Sequence, residues 1–251
     1  MFTTGLVSVT FRALTPHQVV DLCASFKLMN IEWGGDIHVP PGDVARAREV
    51  AALTRDAGLK TLCYGSYYRC GGEEQNFEAI LESAIELDAK SIRVWAGGGE
   101  SEEIFPRVSE DLERISSLAN AQSREVVLEF HGGTLTHHGV DARKLLDAGQ
   151  GAFQSLWQPL RRTVGNEHIE ENLNELRLVA PFLRHVHVYE WHETPSGRES
   201  LSLQGSKQWP RYIEELRTLD LEVPLMLEFV PGDDPDVLTR EAAALHEMCG
   251  V

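Results

Sequence analysis

The feature that most constrains the fold is a regular alternation of β-rich runs and helix-like segments. Eight short runs recur about every thirty residues, and each is followed by a turn signal and an amphipathic stretch. Strict alternation of this kind predicts a parallel sheet, and eight units predict an α/β fold closed into a (β/α)8 TIM barrel. The predicted strands cover residues 6–11, 30–33, 60–65, 91–95, 125–130, 153–157, 185–190 and 224–229.

Helix boundaries carry capping signals. Thr15 is predicted as the N-cap of the first helix, with Pro16 at its first position and Gln18 completing a capping box. Asp43 is predicted to cap the second helix, and Gly58 to end it. A doubly wound open sheet is the alternative fold, but it would usually show a glycine-rich turn after the first strand, where this chain reads TFRALT.

Composition narrows the class of protein. The 251 residues contain no long linker, so we expect one barrel domain over 1–251, with a candidate lid at 191–209. A formal net charge of -16 disfavours nucleic acid and anionic membranes as partners. No apolar run approaches the ~20 residues of a membrane span, no signal peptide is evident, and four scattered cysteines suit a reducing cytoplasm. The expected partner is a small molecule, and homo-oligomerisation stays open.

Two glutamates occur in the same local context, Leu-Glu-Phe after an apolar run. Glu129 and Glu228 therefore end buried strands, where an ionised carboxylate is costly unless something pairs with it. In a barrel both would point into the mouth from opposite sides, where active sites of this fold lie. There they suit a shared divalent cation or the two faces of a small substrate. The alternative is a salt bridge of each glutamate with Arg93 or Arg12.

The seventh and sixth predicted strands offer further metal ligands. His185 and His187 share one face of their strand, and His187 lies nearer the functional end. We therefore predict His187 as a ligand and His185 as a structural residue one layer deeper. Gln158 follows the sixth strand, and its amide could bind either a metal or the substrate. Both roles stay open.

Aromatic and polar residues at other strand ends indicate a compact, hydroxyl-rich ligand. In the loop EWGGDIHVPPGD, Trp33 could cover the apolar face of a sugar while Asp36 and His38 bond hydroxyls, although the loop could equally be a turn leading to Asp43. The other predicted substrate contacts are Tyr64, Arg93, Trp95 and His131. Whether the ligand carries a phosphate stays open, with candidate anchors at Arg12, Arg69, Arg93, Arg161, Arg162 and Lys207.

Several short sequence segments together resemble those of the sugar phosphate isomerase/epimerase family of the xylose-isomerase-like TIM barrels. They are NIEWGGDIHVPPGD, RVWAG at 93–97, LEFHGG, HVH at 185–187 and the closing LEFV, and the similarity covers nearly the whole chain. The resemblance implies one divalent metal ion, Mn, Mg, Co or Zn, held by Glu129, Gln158, His187 and Glu228. Gln158 stands where that family has an aspartate, so the implied site carries one negative charge fewer.

The resemblance also implies a reaction. The metal would polarise an α-hydroxy carbonyl, and one of the two catalytic residues Glu129 and Glu228 would remove a proton to give an enediolate, to which the other returns one. This predicts an isomerase or epimerase of a small sugar, sugar phosphate or keto-polyol. A dehydratase of a cyclic polyol would use the same side chains, and Gln158 keeps open a barrel that binds a sugar or polyol without turning it over.

Overall fold

The computed structural model describes residues 2–74, 76–160, 166–195 and 197–251. Its strands are β1 Thr4–Val7, β2 Asn30–Gly34, β3 Lys60–Arg69, β4 Ser91–Trp95, β5 Glu125–Glu129, β6 Gln154–Trp157, β7 Leu183–Val188, β8 Glu190–Thr194, β9 Gly197–Leu201 and β10 Leu225–Leu227. Eight of them form a closed barrel in the circular order β1-β2-β3-β4-β5-β6-β7-β10. The pairing of Thr4 with Leu225 closes this barrel, which excludes the open-sheet alternative.

Helices surround the barrel where the sequence predicts them. Thr15 and Gln18 form the predicted capping box, Asp43 accepts a hydrogen bond from the backbone of Arg46, and Gly58 follows the second helix with a φ of +74°. No helix within the described ranges combines the length and apolar character needed to cross a bilayer. The helices are α1 Pro16–Ser25, α2 Val44–Asp56, α3 Phe77–Glu86, α4 Phe105–Ala121, α5 Gly139–Ala148, α6 Ile169–Val179, α7 Trp209–Thr218 and α8 Leu238–Cys249.

The first strand is shorter than predicted. It ends at Val7, and Ser8–Phe11 form a turn of 3-10 helix instead of continuing to residue 11. The hydroxyl of Ser8 accepts a hydrogen bond from the backbone of Gly34 and lies 2.9 Å from Nδ1 of His38. These bonds to the segment after β2 hold the turn that follows β1, so the β-like composition of SVTF does not extend the strand.

The main apolar core lies between the strands and the helices, and the inside of the barrel contains charged groups besides a small apolar cluster of Val7, Val9 and Met226. Because side chains alternate along a strand, one face of each strand packs on helices and the other points inward. On β7, Val186 and Val188 belong to the apolar core, whereas His185 and His187 contact the carboxylate of Glu32 across the barrel. The barrel therefore encloses charged groups, and these form the base of the site.

The predicted lid contains a hairpin. β8 and β9 pair antiparallel, with Glu190 opposite Leu201. The carboxylate of Glu190 accepts hydrogen bonds from Ser206 and Gln208, and that of Glu241 accepts bonds of 2.7 Å from the hydroxyl of Ser202 and the backbone of Leu203. Both ends of the hairpin are thus tied to the barrel. Closure over the mouth stays a prediction, and Ser196 of the predicted lid lies outside the described residues.

Candidate active site at the mouth of the barrel

A cavity of about 460 Å³ opens at the C-terminal ends of the strands. This is the end at which active sites of (β/α)8 barrels are found. It brings together six of the residues predicted for the site, and His187 lies buried beside one of them, with Nδ1 3.2 Å from Oε2 of Glu228. The described lining residues are Arg12, Tyr67, Arg93, Trp95, Glu129, His131, Gly132, Gln158, Leu160, Tyr189, Trp191, Glu228 and Phe229.

Glu129, the last residue of β5, is fixed from three sides. The guanidinium of Arg93 and the indole N–H of Trp95 donate to one carboxylate oxygen, and Nε2 of Gln158 donates to the other at 3.1 Å. Burial favours the neutral acid, but the charges of Arg93, His131 and His187 and the hydrogen bond from Trp95 together outweigh it, and the pKa of Glu129 is lowered. Glu129 thus forms the salt bridge with Arg93 that the sequence left open as an alternative, and its carboxylate stays ionised in a fixed position.

Glu228 follows β10 on the opposite side of the mouth and has fewer contacts. Its described side-chain contact is the approach to His187, and its side chain is 7% exposed. The next residue, Phe229, has a φ of +53°, and Tyr67 across the cavity has a φ of +60°. This left-handed backbone conformation is energetically costly for aromatic residues, and residues held in it are often found at functional sites. Both strained residues line the cavity.

A buried ionic network lies beneath these glutamates. Oε1 of Glu32 accepts a 2.7 Å hydrogen bond from Nε of Arg93, while Oε2 lies 3.1 Å from Nε2 of His185 and 3.0 Å from Nε2 of His187. Although burial alone favours neutral forms, His187 and Arg93 hold the pKa of Glu32 well below its ordinary value. Burial alone also lowers the pKa of His187, but the carboxylates of Glu32 and Glu228 raise it to about 10. The sequence analysis did not single out Glu32 as a site residue.

The residues predicted to hold a metal fit a divalent cation. Within the described part of the chain, Oε1 of Gln158 and Nδ1 of His187 are buried atoms without a hydrogen-bond partner. Nδ1 of His187 lies close to Glu228 but without the alignment of a hydrogen bond. An amide oxygen, an imidazole nitrogen and carboxylate oxygens are chemically suitable ligands for such a cation. Nε2 of His187 is meanwhile occupied by Glu32.

A second group of ligand atoms lies deeper in the barrel. Glu32, Cys63 and His185 each offer one ligand atom, and these three atoms lie within 4.8 Å of one another. All three residues are buried. Burial raises the pKa of the Cys63 thiol well above its ordinary value, so in this arrangement the thiol is protonated. The barrel therefore contains a buried set of side chains that could hold a metal in addition to the set at the mouth.

Solved structures with the same architecture identify the fold. A probable 3-DHS dehydratase, AsbF, from Bacillus anthracis matches with a TM-score of 0.79 at 18% identity over 98% of both chains. A xylose isomerase domain-containing protein from Salmonella typhimurium matches with a TM-score of 0.76 at 13% identity over 99% of this chain and 97% of that one. A D-psicose 3-epimerase, solved in the presence of D-fructose, matches with a TM-score of 0.74 at 14% identity over the whole of both chains. The fold is that of the xylose isomerase-like TIM barrels.

No family model matches the sequence. No curated protein matches it either. At identities of this order the likeness to the solved structures concerns the fold, so the chemistry of this xylose isomerase-like barrel is argued from its own residues.

Three predicted substrate contacts are wrong. Trp33 is fully buried and donates to the hydroxyl of Thr54 on α2 at 3.2 Å. The hydroxyl of Tyr64 donates to the carbonyl of Val39 at 2.7 Å, and His38 is bonded to Ser8 and to the carbonyl of Leu14. The physical reason is the alternation of strands: since Glu32 and Cys63 point into the barrel, Trp33 and Tyr64 point outward to the helices.

The remaining predicted contacts differ in position. Trp95 and His131 stack with ring centroids 5.1 Å apart in the cavity wall. Asp36 lies at the rim, where it forms an ion pair with the cavity-lining Arg12. Across the mouth, Tyr189 and Trp191 stack with ring centroids 4.2 Å apart and form a second aromatic wall. Among the candidate phosphate anchors, Arg12 and Arg93 line the cavity and Arg69 lies 4.0 Å above the ring of Trp95, while Arg161 and Arg162 lie outside the described residues.

The structural role of Trp33 is testable through Thr54→Val. The change leaves the buried indole N–H without an acceptor, and we expect it to lower the free energy of unfolding by about 1–3 kcal/mol without altering ligand binding. Urea denaturation measures this effect. Thr218→Val is a matched control because Thr218, like Thr54, bonds the carbonyl four residues earlier, but at an exposed helix end. Equal losses in the two variants would contradict the assignment of Trp33 to the core.

Proposed function

We propose that this protein is a divalent-metal-dependent isomerase or epimerase of a small sugar, sugar phosphate or keto-polyol. The observation that carries the proposal is a pair of buried atoms without a hydrogen-bond partner among the described residues, Oε1 of Gln158 and Nδ1 of His187. Gln158 lines the cavity together with Glu129 and Glu228, and Nδ1 of His187 lies 3.2 Å from Oε2 of Glu228. The fold supports it, since a D-psicose 3-epimerase shares the architecture along the whole chain.

The two glutamates have different proton-transfer roles. A divalent cation held by Glu129, Gln158, His187 and Glu228 would act as a Lewis acid on the carbonyl of an α-hydroxy carbonyl substrate. Glu228 is the better proton acceptor, because its carboxylate lacks the donors that hold Glu129. Removal of a carbon-bound proton by Glu228 leaves an enediolate. Glu129, on the other side of the mouth, would take up a proton from solvent and return it to the enediolate. Its return to the opposite face gives an epimer, and its return to the neighbouring carbon gives an isomer.

The other cavity residues orient the substrate and exclude water. Arg93 lies 4.9 Å from the ring of Tyr67 and places its guanidinium beside Glu129 at the base of the cavity. The aromatic walls formed by Trp95 with His131 and by Tyr189 with Trp191 enclose the mouth from two sides. A cavity lined by aromatic surface with a few convergent polar groups is typical of a small-molecule site.

A dehydratase of a cyclic polyol is the second candidate. It is favoured by the TM-score of 0.79 with the probable 3-DHS dehydratase AsbF. In that reaction Glu228 would again remove a proton, and a hydroxyl group would leave as water instead of a proton returning to carbon. Formation of a product that absorbs in the ultraviolet as an unsaturated carbonyl, with no epimer formed, would favour this reaction over the first.

The metal site is tested by stoichiometry. We expect wild-type protein, purified without chelator or nickel affinity, to contain or take up close to one equivalent of Mn, Co, Zn or Mg, and the double variant Glu129→Gln/Glu228→Gln to lose it, because both anionic ligands are removed. Plasma mass spectrometry measures the content. Glu247→Gln on the exposed end of α8 is the control and should keep the metal. Wild-type protein without metal after incubation with each ion would overturn the proposed mechanism.

A further inference from the structure

Glu32 is a buried carboxylate that the proposed reaction does not use. It lies on β2 inside the barrel and is 1% exposed. The cavity-lining residues that the structure describes do not include it. A carboxylate in such a place is costly unless its partners compensate, so its contacts indicate why the fold keeps it.

Those contacts fix the carboxylate in one orientation. Oε1 accepts from Nε of Arg93 at 2.7 Å, and Oε2 contacts Nε2 of both His185 and His187. Gly65 on β3 leaves room for this arrangement, because a Cβ there would lie 2.6 Å from Nη2 of Arg93 and 3.0 Å from Oε1 of Glu32. The network is therefore packed closely around both oxygens.

The contact with His187 determines which ring nitrogen faces the site. Since Nε2 is directed at Glu32 at 3.0 Å, Nδ1 is left on the side of Glu228 and carries no hydrogen bond. An imidazole that binds a metal through one nitrogen is generally oriented by a hydrogen bond from the other, which fixes both the tautomer and the plane of the ring. Here a carboxylate from a strand on the far side of the barrel supplies that bond.

We propose that Glu32 is a positioning residue that holds His187 with Nδ1 directed into the cation site. The inference rests on the proposed function, because it assigns Glu32 a role toward the cation bound there. Arg93 and His185 support this role by occupying the rest of the carboxylate, so that Glu32 cannot rotate away from His187.

The same carboxylate has one other candidate role. Glu32, Cys63 and His185 could themselves hold a metal below the mouth. The contacts favour positioning, because both oxygens of Glu32 already interact with Arg93 and the two histidines. The two roles predict different numbers of bound metal ions. If Glu32 positions His187, the protein binds one equivalent of metal, and Cys63→Ser still binds it. If Glu32, Cys63 and His185 form a separate site, the protein binds a second equivalent, and Cys63→Ser loses that one.

The experiment compares wild type, Glu32→Gln and Glu241→Gln as metal-free proteins. Titration calorimetry with Mn²⁺ alone measures affinity, and NMR of the metal-free proteins detects the slowly exchanging imidazole N–H of His187, assigned by its loss in His187→Gln. We expect Glu32→Gln to weaken Mn²⁺ binding by about 10- to 100-fold and to lose the protected N–H signal. Glu241→Gln is the control, because Glu241 is equally buried and hydrogen-bonded but lies at the hairpin, away from the site. It should change neither property.

A second variant tests the inference in case Glu32→Gln does not fold. Gly65→Ala keeps every charge but displaces Arg93 and Glu32 by steric overlap, and it should weaken Mn²⁺ binding in the same direction. Unchanged affinity and an unchanged N–H signal in a folded Glu32→Gln protein would overturn the inference, as would a second equivalent of Zn²⁺ that depends on Cys63. If wild type binds none of Mn²⁺, Co²⁺, Zn²⁺ and Mg²⁺, the proposed function fails, and the N–H signal still shows whether Glu32 fixes His187.

Discussion

Glu228→Gln is expected to slow the exchange of substrate carbon-bound hydrogen with solvent by about 10²–10⁴-fold. The amide keeps the size of the side chain but cannot accept the proton, and Glu129 is held by Arg93 and Trp95 too firmly to replace it. The assay incubates the protein with a panel of ketoses in deuterated water and follows deuterium incorporation by mass spectrometry. It reports proton removal whether the product is an epimer or an isomer.

The control for this prediction is again Glu247→Gln, which should exchange at the wild-type rate. Near-ultraviolet circular dichroism of Glu228→Gln should match the wild-type spectrum, since the described side-chain contact of Glu228 is with His187 alone. Wild-type rates of exchange in a folded Glu228→Gln protein would remove Glu228 from the reaction and leave Glu129 as the proton acceptor.

Arg93→Met is expected to cost about 3–5 kcal/mol of unfolding free energy. Arg93 is 3% exposed and bonds both Glu32 and Glu129, so the substitution leaves two buried carboxylates without their cation. Urea denaturation measures the loss. Arg48→Met is the matched control, because Arg48 makes a two-bond ion pair with Glu86 on the exposed helical surface and should shift the midpoint far less.

The cost of Arg93→Met should also depend on pH. In the wild type the pKa of Glu32 lies well below 4.5, so the stability it contributes is present above that value and is lost as pH falls through the lowered pKa. Without Arg93, the pKa values of Glu32 and Glu129 would both be higher than in the wild type, so the variant would lose less stability on acidification. The difference in unfolding free energy between the wild type and Arg93→Met should therefore become smaller as pH falls from 7 toward 4. A constant difference would mean that the loss comes from packing and not from charge.

The sequence predicts the barrel and the two glutamates for the same physical reason. Regular spacing identifies the strands, and the ends of parallel strands meet at one edge, so Glu129, His187 and Glu228 had to lie near one another once the barrel closed. The predicted end of a strand was less accurate where a side chain forms hydrogen bonds with the backbone, as the hydroxyl of Ser8 does with Gly34 after β1. Spacing alone determines which residues end a strand, and it says less about the direction in which each one points.

The direction of the side chain separates the predicted contacts that line the cavity from those that pack elsewhere. Trp33 ends a strand, but the alternation that places Glu32 inward sends Trp33 outward, and this signal was present in the four letters NIEW. Tyr67 is different. It lies within the register shift of β3 between Gly65 and Tyr68 and has a positive φ, so simple alternation could not place it in the cavity. The network around Glu32 also depends on contacts 153 and 155 residues apart, which no local pattern contains.

That long separation has a consequence for synthesis on the ribosome. Glu32 emerges early, but the histidines that complete its contacts are translated more than 150 residues later, and β1 pairs with β10 near the end of the chain. Until then the nascent barrel carries charged groups on a surface that is destined to be enclosed, which keeps water in its interior. Early collapse into a dry, mispaired sheet would have to bury those charges, so the ionic interior disfavours premature closure and favours completion of the barrel as one late event.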